Sequence, residues 1–320
     1  MSRLPDSRRH LAAHEARAAF DLLLDGGVSD NDARVFLTDM AERDETSVEI
    51  AAAAQALRDR MIPVAAPAGA IDVCGTGGDG SRSLNVSTAV AIVVAACGVP
   101  VAKHGNRAAS SQAGAADTLE ALGLDLTRAS DAAEDTLAGL GIAFLFAQKH
   151  HPALAKLAPV RRAIGRRTIL NLTGPAANPA RVTRQLIGVA RPNFLAVFAG
   201  AIEILGTDAT LLVAGDEPLD ELSVDGPSTV HWVGGAAERV TPETVGLPHH
   251  PLSALRGGSA VFNAAALTRL LAGDPGAYRD AVLFNASAAL QAARATRAML
   301  RVCWRLGLRR DRRPDDASAG

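Results

Sequence analysis

The stretch that decides the fold is Val73-Cys74-Gly75-Thr76-Gly77-Gly78-Asp79-Gly80, followed by Asn85-Val86-Ser87-Thr88 and by Lys103-His104-Gly105-Asn106-Arg107 with Ser110-Ser111. Each polar segment follows a short apolar run, Ile71 to Cys74 before the first and Val99 to Ala102 before the second. Thr88 to Cys97 reads as a buried helix closed by Gly98, and Ala115 to Leu122 as the next helix. Strand, polar loop and helix in alternation predict a largely parallel sheet covered on both faces. In such a sheet ligands gather beyond the carboxyl ends of the strands, where both polar segments fall. Ile142 to Ala147 and Thr210 to Ala214 read as later strands.

Upstream the pattern is helical. Leu11 to Leu24 has apolar residues at helical spacing and stops at Gly26-Gly27. Ser29-Asp30 can cap a second helix through about Glu42, and Ser47 with Glu49 can start a third through about Met61. Pro63, Pro67 and Gly69 form a linker, so the boundary is placed there: a small helical domain over 1–66 and a larger α/β domain over 70–309. The tail 310–320, rich in Arg, Asp and Pro, reads as disordered.

Composition narrows the function classes. A chain of 320 residues can bury a sizeable core, and 48% of its residues are apolar. The formal net charge of −1 supplies no basic face for nucleic acid. The longest apolar run, Ala89 to Ala102, is too short to span a bilayer and contains Gly98 and Pro100. The N-terminus lacks the apolar core of a signal peptide, so a soluble cytoplasmic protein is the plain reading. Cys74, Cys97 and Cys303 show no Cys-x-x-Cys spacing that would indicate zinc.

Gly75, Gly77 and Gly80 satisfy the G-x-G-x-x-G pattern, but a dinucleotide site would need the helix to open directly after the loop and an acidic residue about 20 positions on. Neither is present between Asp79 and Asp117. The alternative is a loop whose backbone N–H groups approach pyrophosphate oxygens, with Asn85, Ser87 and Thr88 adding donors at a helix start. A tight turn with an ordinary Ser/Thr cap fits the same residues when the loop is taken alone. The second loop tips the balance, because Lys103 and Arg107 flank Gly105 and Asn106 with Ser110-Ser111 just beyond. Charge-assisted hydrogen bonds of this kind are worth about 1.5–3 kcal/mol each. His104 can transfer a proton or make a structural hydrogen bond. Arg161 stands in a run with Arg162, Arg166 and Arg167 and can fork onto a carboxylate. Asp220-Glu221, at a strand exit, and Ser87 can supply oxygen ligands to Mg²⁺, although adjacent acids also suit a solvated turn.

Together these motifs resemble the anthranilate phosphoribosyltransferase family. Gly-Thr-Gly-Gly-Asp, Asn-x-Ser-Thr, Lys-His-Gly-Asn-Arg-x-x-Ser-Ser and Asn-Leu-x-Gly-Pro-x-x-Asn-Pro follow in the family's order, from roughly Leu11 to Leu290. The resemblance implies the fold shared with pyrimidine nucleoside phosphorylases: a small helical domain, joined by helices from about 151–180, beside an α/β domain with a mostly parallel sheet, usually as a homodimer. It implies Mg²⁺-dependent phosphoribosyl transfer to anthranilate in tryptophan biosynthesis. By position, Gly75, Gly78, Asp79, Ser83, Asn85, Ser87, Thr88, Lys103, Asn106, Arg107 and Ser111 would meet phosphoribosyl pyrophosphate (PRPP). Val86, His104, Gly105, Ser110 and Ala115 lie in the same motifs and join the substrate-binding set. Ser87, Asp220 and Glu221 would meet Mg²⁺; Gly75, Asn106 and Arg161 would meet anthranilate; Lys103 and Arg107 would stabilise the leaving pyrophosphate.

Departures are also visible. Gln112 and Ala115 differ from the common residues, Thr173 and Ala176 replace leucines, and Glu217-Pro218 alters the turn before Asp220. Arg294 to Arg313 is arginine-rich where the family has an acidic amphipathic helix. Other readings are transfer to a different aromatic amine, nucleoside phosphorolysis on the same fold, or a non-catalytic homologue that binds nucleic acid or a protein partner.

Overall fold

Stop and start signals at its ends fix each of the first three helices. The computed structural model describes residues 4–108, 112–217 and 219–294. Helix α1 (Ala13–Asp25) ends at Gly26, whose φ of 76° lets its N–H turn back onto the carbonyls of Leu22 and Leu23. Helix α2 (Asp30–Glu42) is capped by Ser29, whose hydroxyl accepts from the N–H of Asp32 at 3.2 Å. Helix α3 (Ser47–Arg58) starts at Ser47 as expected, and its cap is the preceding Thr46: Thr46 Oγ1 accepts from Glu49 N–H, and the Glu49 carboxylate accepts from Thr46 N–H. Ser47 instead donates to the Val197 carbonyl at 2.6 Å.

The α/β part then runs β1 (Ile71–Gly75), α4 (Val86–Ala96), β2 (Val101–Gly105), α5 (Ala115–Ala121), α6 (Leu126–Asp131), α7 (Ala133–Leu140) and β3 (Ile142–Phe146). Helices α8 (Ala147–His150), α9 (Ala158–Ile164) and α10 (Ile169–Ala176) follow, then β4 (Arg184–Gly188), α11 (Leu195–Leu205) and β5 (Ala209–Gly215). The antiparallel strands β6 (Ser228–Trp232) and β7 (Ala237–Val240) precede α12 (Ala260–Leu271) and α13 (Ala277–Ala292). The strands form one sheet in the order β3-β2-β1-β4-β5-β6-β7, parallel from β3 through β5. The small helical part and the larger α/β part with its mostly parallel sheet are those the sequence predicts. The β6–β7 hairpin and β4 lie outside the strands expected from sequence.

Two apolar clusters account for most of the packing. One joins Phe20, Leu23, Phe36, Leu37, Met40, Ile50 and Leu57 to Leu157, Val160, Ile169, Leu172 and Phe198, so helices from both ends of the linker share a core. The other packs Val90 and Val94 of α4 against Phe284, Ala289 and Leu290 of α13 and against Leu186 and Val213 of the sheet. Each large apolar side chain so buried contributes about 1.5–3 kcal/mol relative to exposure.

The strand order positions a crevice. The chain steps from β1 outward to β2 and β3, then returns to β4 on the other side of β1. At the carboxyl ends of β1 and β4 the connections therefore diverge, and Gly75 faces Gly188 there in register.

Candidate active site

The loop leaving β1 is made by left-handed backbone. Gly77 and Gly78 have φ of 64° and 76°, which a Cβ would strain, and the Gly77 N–H points at Asp220, donating to Oδ2 at 2.7 Å. Asp79 accepts from the N–H and hydroxyl of Ser81, whose hydroxyl accepts from the N–H of Ser83. The loop thus leads into α4, which begins at Val86, two residues before the expected Thr88. Helix α4 therefore presents its N-terminal N–H groups at the crevice, with Ser87 on the crevice side. Of the same motif, the side chain of Val86 packs into the core beneath the helix and lines the cavity beside Ser87, and Thr88 is buried with its hydroxyl unpartnered.

Lys103 and His104 are corrected, since they stand in β2 and not in a loop. The Lys103 stem is buried, and its Nζ donates to the Val73 carbonyl at 2.6 Å and to Ser87 Oγ at 3.3 Å. Burial lowers its pKa, while Asp72, Cys74, Glu221 and Asp220 push it back up. Asp72, fully buried on β1, accepts from the His104 N–H at 3.1 Å and holds its other oxygen without a partner. Its pKa is raised by burial, against the pull of Lys103.

Asp220 and Glu221 lie across the switch point because two glycines make room for them. A Cβ on Gly188 would lie 1.5 Å from the Asp220 carbonyl oxygen, and one on Gly75 would lie 2.2 Å from Asp220 Oδ2. Burial and the neighbouring Asp79 push the Asp220 carboxyl up to about 7. Glu221 is raised further by burial and by Asp220 and Asp79, and its Oε2 has no hydrogen-bond partner. Ser87, Asp220 and Glu221 line, together with apolar side chains of β1, α4, β4 and β5, a cavity of about 10 Å³, room for one water-sized occupant. Asp220 and Glu221, both raised with Asp79 nearby and with an orphaned carboxylate oxygen on Glu221, offer the oxygen chemistry that a hard divalent cation takes.

The second loop is differently placed. Gly105 lets β2 pass close to Phe144, whose ring a Cβ would approach to 2.7 Å, with the Ala115 methyl also in contact. Asn106 accepts from the Arg107 N–H at 2.8 Å and from Gln148 at 3.4 Å. Arg107 is exposed and ion-paired to Asp117 at 3.0 Å and Glu120 at 2.8 Å, which raise its pKa. Arg107 is thus held away from Lys103 by carboxylates of α5. Ser110 and Ser111, Pro218 and the arginine-rich segment after Arg294 lie outside the described residues.

Between β2 and the helical part stands a histidine patch that sequence reasoning only half catches. His104 Nδ1 donates to the Gly174 carbonyl at 3.1 Å, its buried Nε2 is unpartnered, and its ring meets that of His151 at 5.0 Å. Burial holds His151 down to about 4 and His104 well below its ordinary value. Arg161 is half-buried on α9; its guanidinium makes no hydrogen bond or ion pair among the described residues, and burial lowers its pKa. Its neighbours Arg166 and Arg167 are instead paired with Glu42 and Glu45. Asp72, His151 and Gly188 carry no motif; only the glycine closing the apolar run Leu186-Ile187 hints at the last.

Comparison with known proteins agrees with this architecture. Residues 4–61 match the helical bundle domain, and residues 68–300 the a/b domain, of the glycosyl transferase family. Curated anthranilate phosphoribosyltransferases of Sphingopyxis alaskensis and Novosphingobium aromaticivorans are 61% and 59% identical, over 89% and 91% of this chain and 87% and 89% of their own lengths. Among solved structures, the anthranilate phosphoribosyltransferase of Thermus thermophilus superposes with a TM-score of 0.86 at 42% identity, covering 94% of this chain and 92% of its own. That of Saccharomyces cerevisiae in complex with PRPP and Mg gives 0.84 at 26% identity, over 93% and 88%.

Proposed function

For a chain that belongs to the anthranilate phosphoribosyltransferase family, we propose transfer of the 5-phosphoribosyl group of PRPP to the amine of anthranilate, releasing pyrophosphate, as a step toward tryptophan. The bond from C1 of the ribose to the pyrophosphate oxygen breaks with its electron pair leaving on pyrophosphate. The amine lone pair forms the new N–C1 bond, and the nitrogen gives up one proton to solvent.

The observation that carries this reading is the meeting of the glycine loop, the α4 N-terminus and the buried Lys103 with Asp220 over the β1–β4 switch point. Arg161, on α9 of the helical part, is a half-buried cation whose guanidinium has no protein partner among the described residues. Lys103 uses two of its three donors on Val73 and Ser87, leaving one to meet an anion. A preorganised donor of this kind is worth about 2.7–4 kcal/mol in a transition state. Arg161 supplies a fork for the acceptor's carboxylate, orienting its amine toward C1. Arg107 spends three of its five donors on Asp117 and Glu120, so offering its whole fork to the diphosphate means releasing them. Asp79, Ser87, Asp220 and Glu221 would hold Mg²⁺, which when bound supplies charge neutralisation of the diphosphate.

The same reading assigns 1–66 with the helices of 151–180 to one lobe and the α/β part to the other. It takes the protein as a cytoplasmic homodimer paired through the helical lobe, where Val35 and Val48 are exposed. No helix among the described residues is long and apolar enough to cross a membrane.

Purified protein with PRPP, Mg²⁺ and anthranilate tests the activity. Anthranilate fluorescence should fall as pyrophosphate appears one for one. Parallel reactions with other arylamines, and with thymidine and phosphate, should stay near background; turnover there with none on anthranilate would replace this reading.

A further inference from the structure

Asn85, assigned above to substrate, has a side chain engaged in three hydrogen bonds to protein. Its Oδ1 accepts from Thr118 Oγ1 at 2.5 Å and from Asn263 Nδ2 at 3.0 Å, while Nδ2 donates to the Ala113 carbonyl at 3.3 Å. Its backbone carbonyl accepts from the Tyr278 hydroxyl at 3.1 Å. Three segments remote in sequence (113–118, α12 and α13) therefore converge on the residue at the N-cap of α4. Asn263 is 2% exposed, and its Oδ1 also accepts from the Gly258 N–H at 2.8 Å. The strand-like strap 255–258 pairs with the end of the glycine loop: Leu84 N–H donates to the Leu255 carbonyl, and Gly257 N–H to the Arg82 carbonyl, both at 2.8 Å. A Cβ on Gly257 would come within 2.7 Å of the Ser83 carbonyl and 3.0 Å of Asn263 Oδ1, so the strap sits close against the loop.

We propose that Asn263 on α12 and Tyr278 on α13 are positioning residues for the PRPP loop, acting through Asn85 to fix Ser83, Ser87 and the α4 N-terminus in the geometry that receives the diphosphate. This rests on the function proposed above and adds two residues that the motifs do not include. Removing the Asn263 amide leaves Asn85 with one partner fewer and frees it to turn, which loosens the loop without touching the acceptor side, where Arg161 and His104 stand on other elements.

The test is kinetic and uses the full chain. Asn263→Ala should raise the PRPP KM about tenfold, the scale set by one buried hydrogen-bond partner, while the anthranilate KM stays within about twofold. Tyr278→Phe, which keeps the ring, should show the same one-sided effect at smaller size. In an Asn85→Ala background, Asn263→Ala should add no more than about twofold, because both changes act through one residue. Equal rises in both KM values, a lowered Tm with both KM values unchanged, or an undiminished effect in the Asn85→Ala background would overturn the proposal. If Asn263→Ala does not fold, the two KM values of Tyr278→Phe decide the proposal by the same criteria. If the wild type does not turn over anthranilate, the function proposed above fails, and calorimetric PRPP·Mg²⁺ affinities of the same variants decide this proposal instead; wild type that binds no PRPP overturns both.

Discussion

Arg161 is the residue on which the identity of the acceptor turns. It is a half-buried cation whose guanidinium has no protein partner among the described residues, while Arg166 and Arg167 are paired. Arg161→Ala should raise the anthranilate KM about thirtyfold, the equivalent of one charge-assisted hydrogen bond, and leave the PRPP KM within about twofold. Steady-state kinetics in each substrate decide it; equal effects on both remove Arg161 from the acceptor subsite. At this scale the sequence is readable where chemistry is local. Gly75 to Asp79 and Lys103 to Arg107 announce an anion site by composition alone. Asp220 and Glu221 can be named as acids at a strand exit, but nothing in the sequence places them on Gly75 and Gly188. That contact depends on the β1–β4 crossover, which no short motif encodes. Asn263 and Tyr278 are invisible for the same reason, as ordinary residues made important only by where α12 and α13 return.

At the scale of elements, the helical caps carry unequal weight. Glu49 closes the cap of α3 and is fully buried, accepting from Thr46 and Leu11 N–H groups and pairing with Arg43 at 2.5 Å. These bonds overcome the burial that would raise its pKa and hold the carboxyl below its ordinary value. Glu49→Gln should cost about 3–5 kcal/mol in urea unfolding, since it strands the Arg43 charge, with both KM values unchanged in the folded enzyme. A loss under about 1 kcal/mol would make the pair equivalent to an ordinary surface bridge. The elements themselves are largely legible, because Gly26, Ser29 and the apolar runs punctuate them. The errors fall at edges. Placing Lys103 in a loop follows from stopping β2 at the last apolar residue, whereas a buried lysine that finds Val73 and Ser87 as partners extends the strand by its own hydrogen bonds.

At the scale of the molecule, the helical and sheet parts meet at a histidine-lined seam. His104 extends from β2 toward His151, in the turn between α8 and α9, and both rings are buried. His151 is held at about 4 by burial, against an ordinary value near 6.5. Folding therefore favours the neutral ring. The contribution is fully present above about pH 6.5 and is lost as pH falls toward 4, reaching at most about 3 kcal/mol. His151→Leu should flatten the decline of urea midpoint between about pH 6.5 and 4.5; an unchanged slope would place the acid sensitivity elsewhere. This seam is not legible in the sequence, because two histidines far apart along the chain meet only once both parts are folded together.

The central claim is that the glycine loop and the Asp220-Glu221 turn, brought together over the β1–β4 switch point, jointly hold a sugar diphosphate and a divalent ion. A crystal soaked with PRPP and Mn²⁺ tests it most directly through the anomalous signal of manganese. The account predicts a manganese peak among Asp79, Ser87, Asp220 and Glu221, with diphosphate density against the loop N–H groups and Lys103. A peak elsewhere, or a bound diphosphate that leaves those residues untouched, would contradict it.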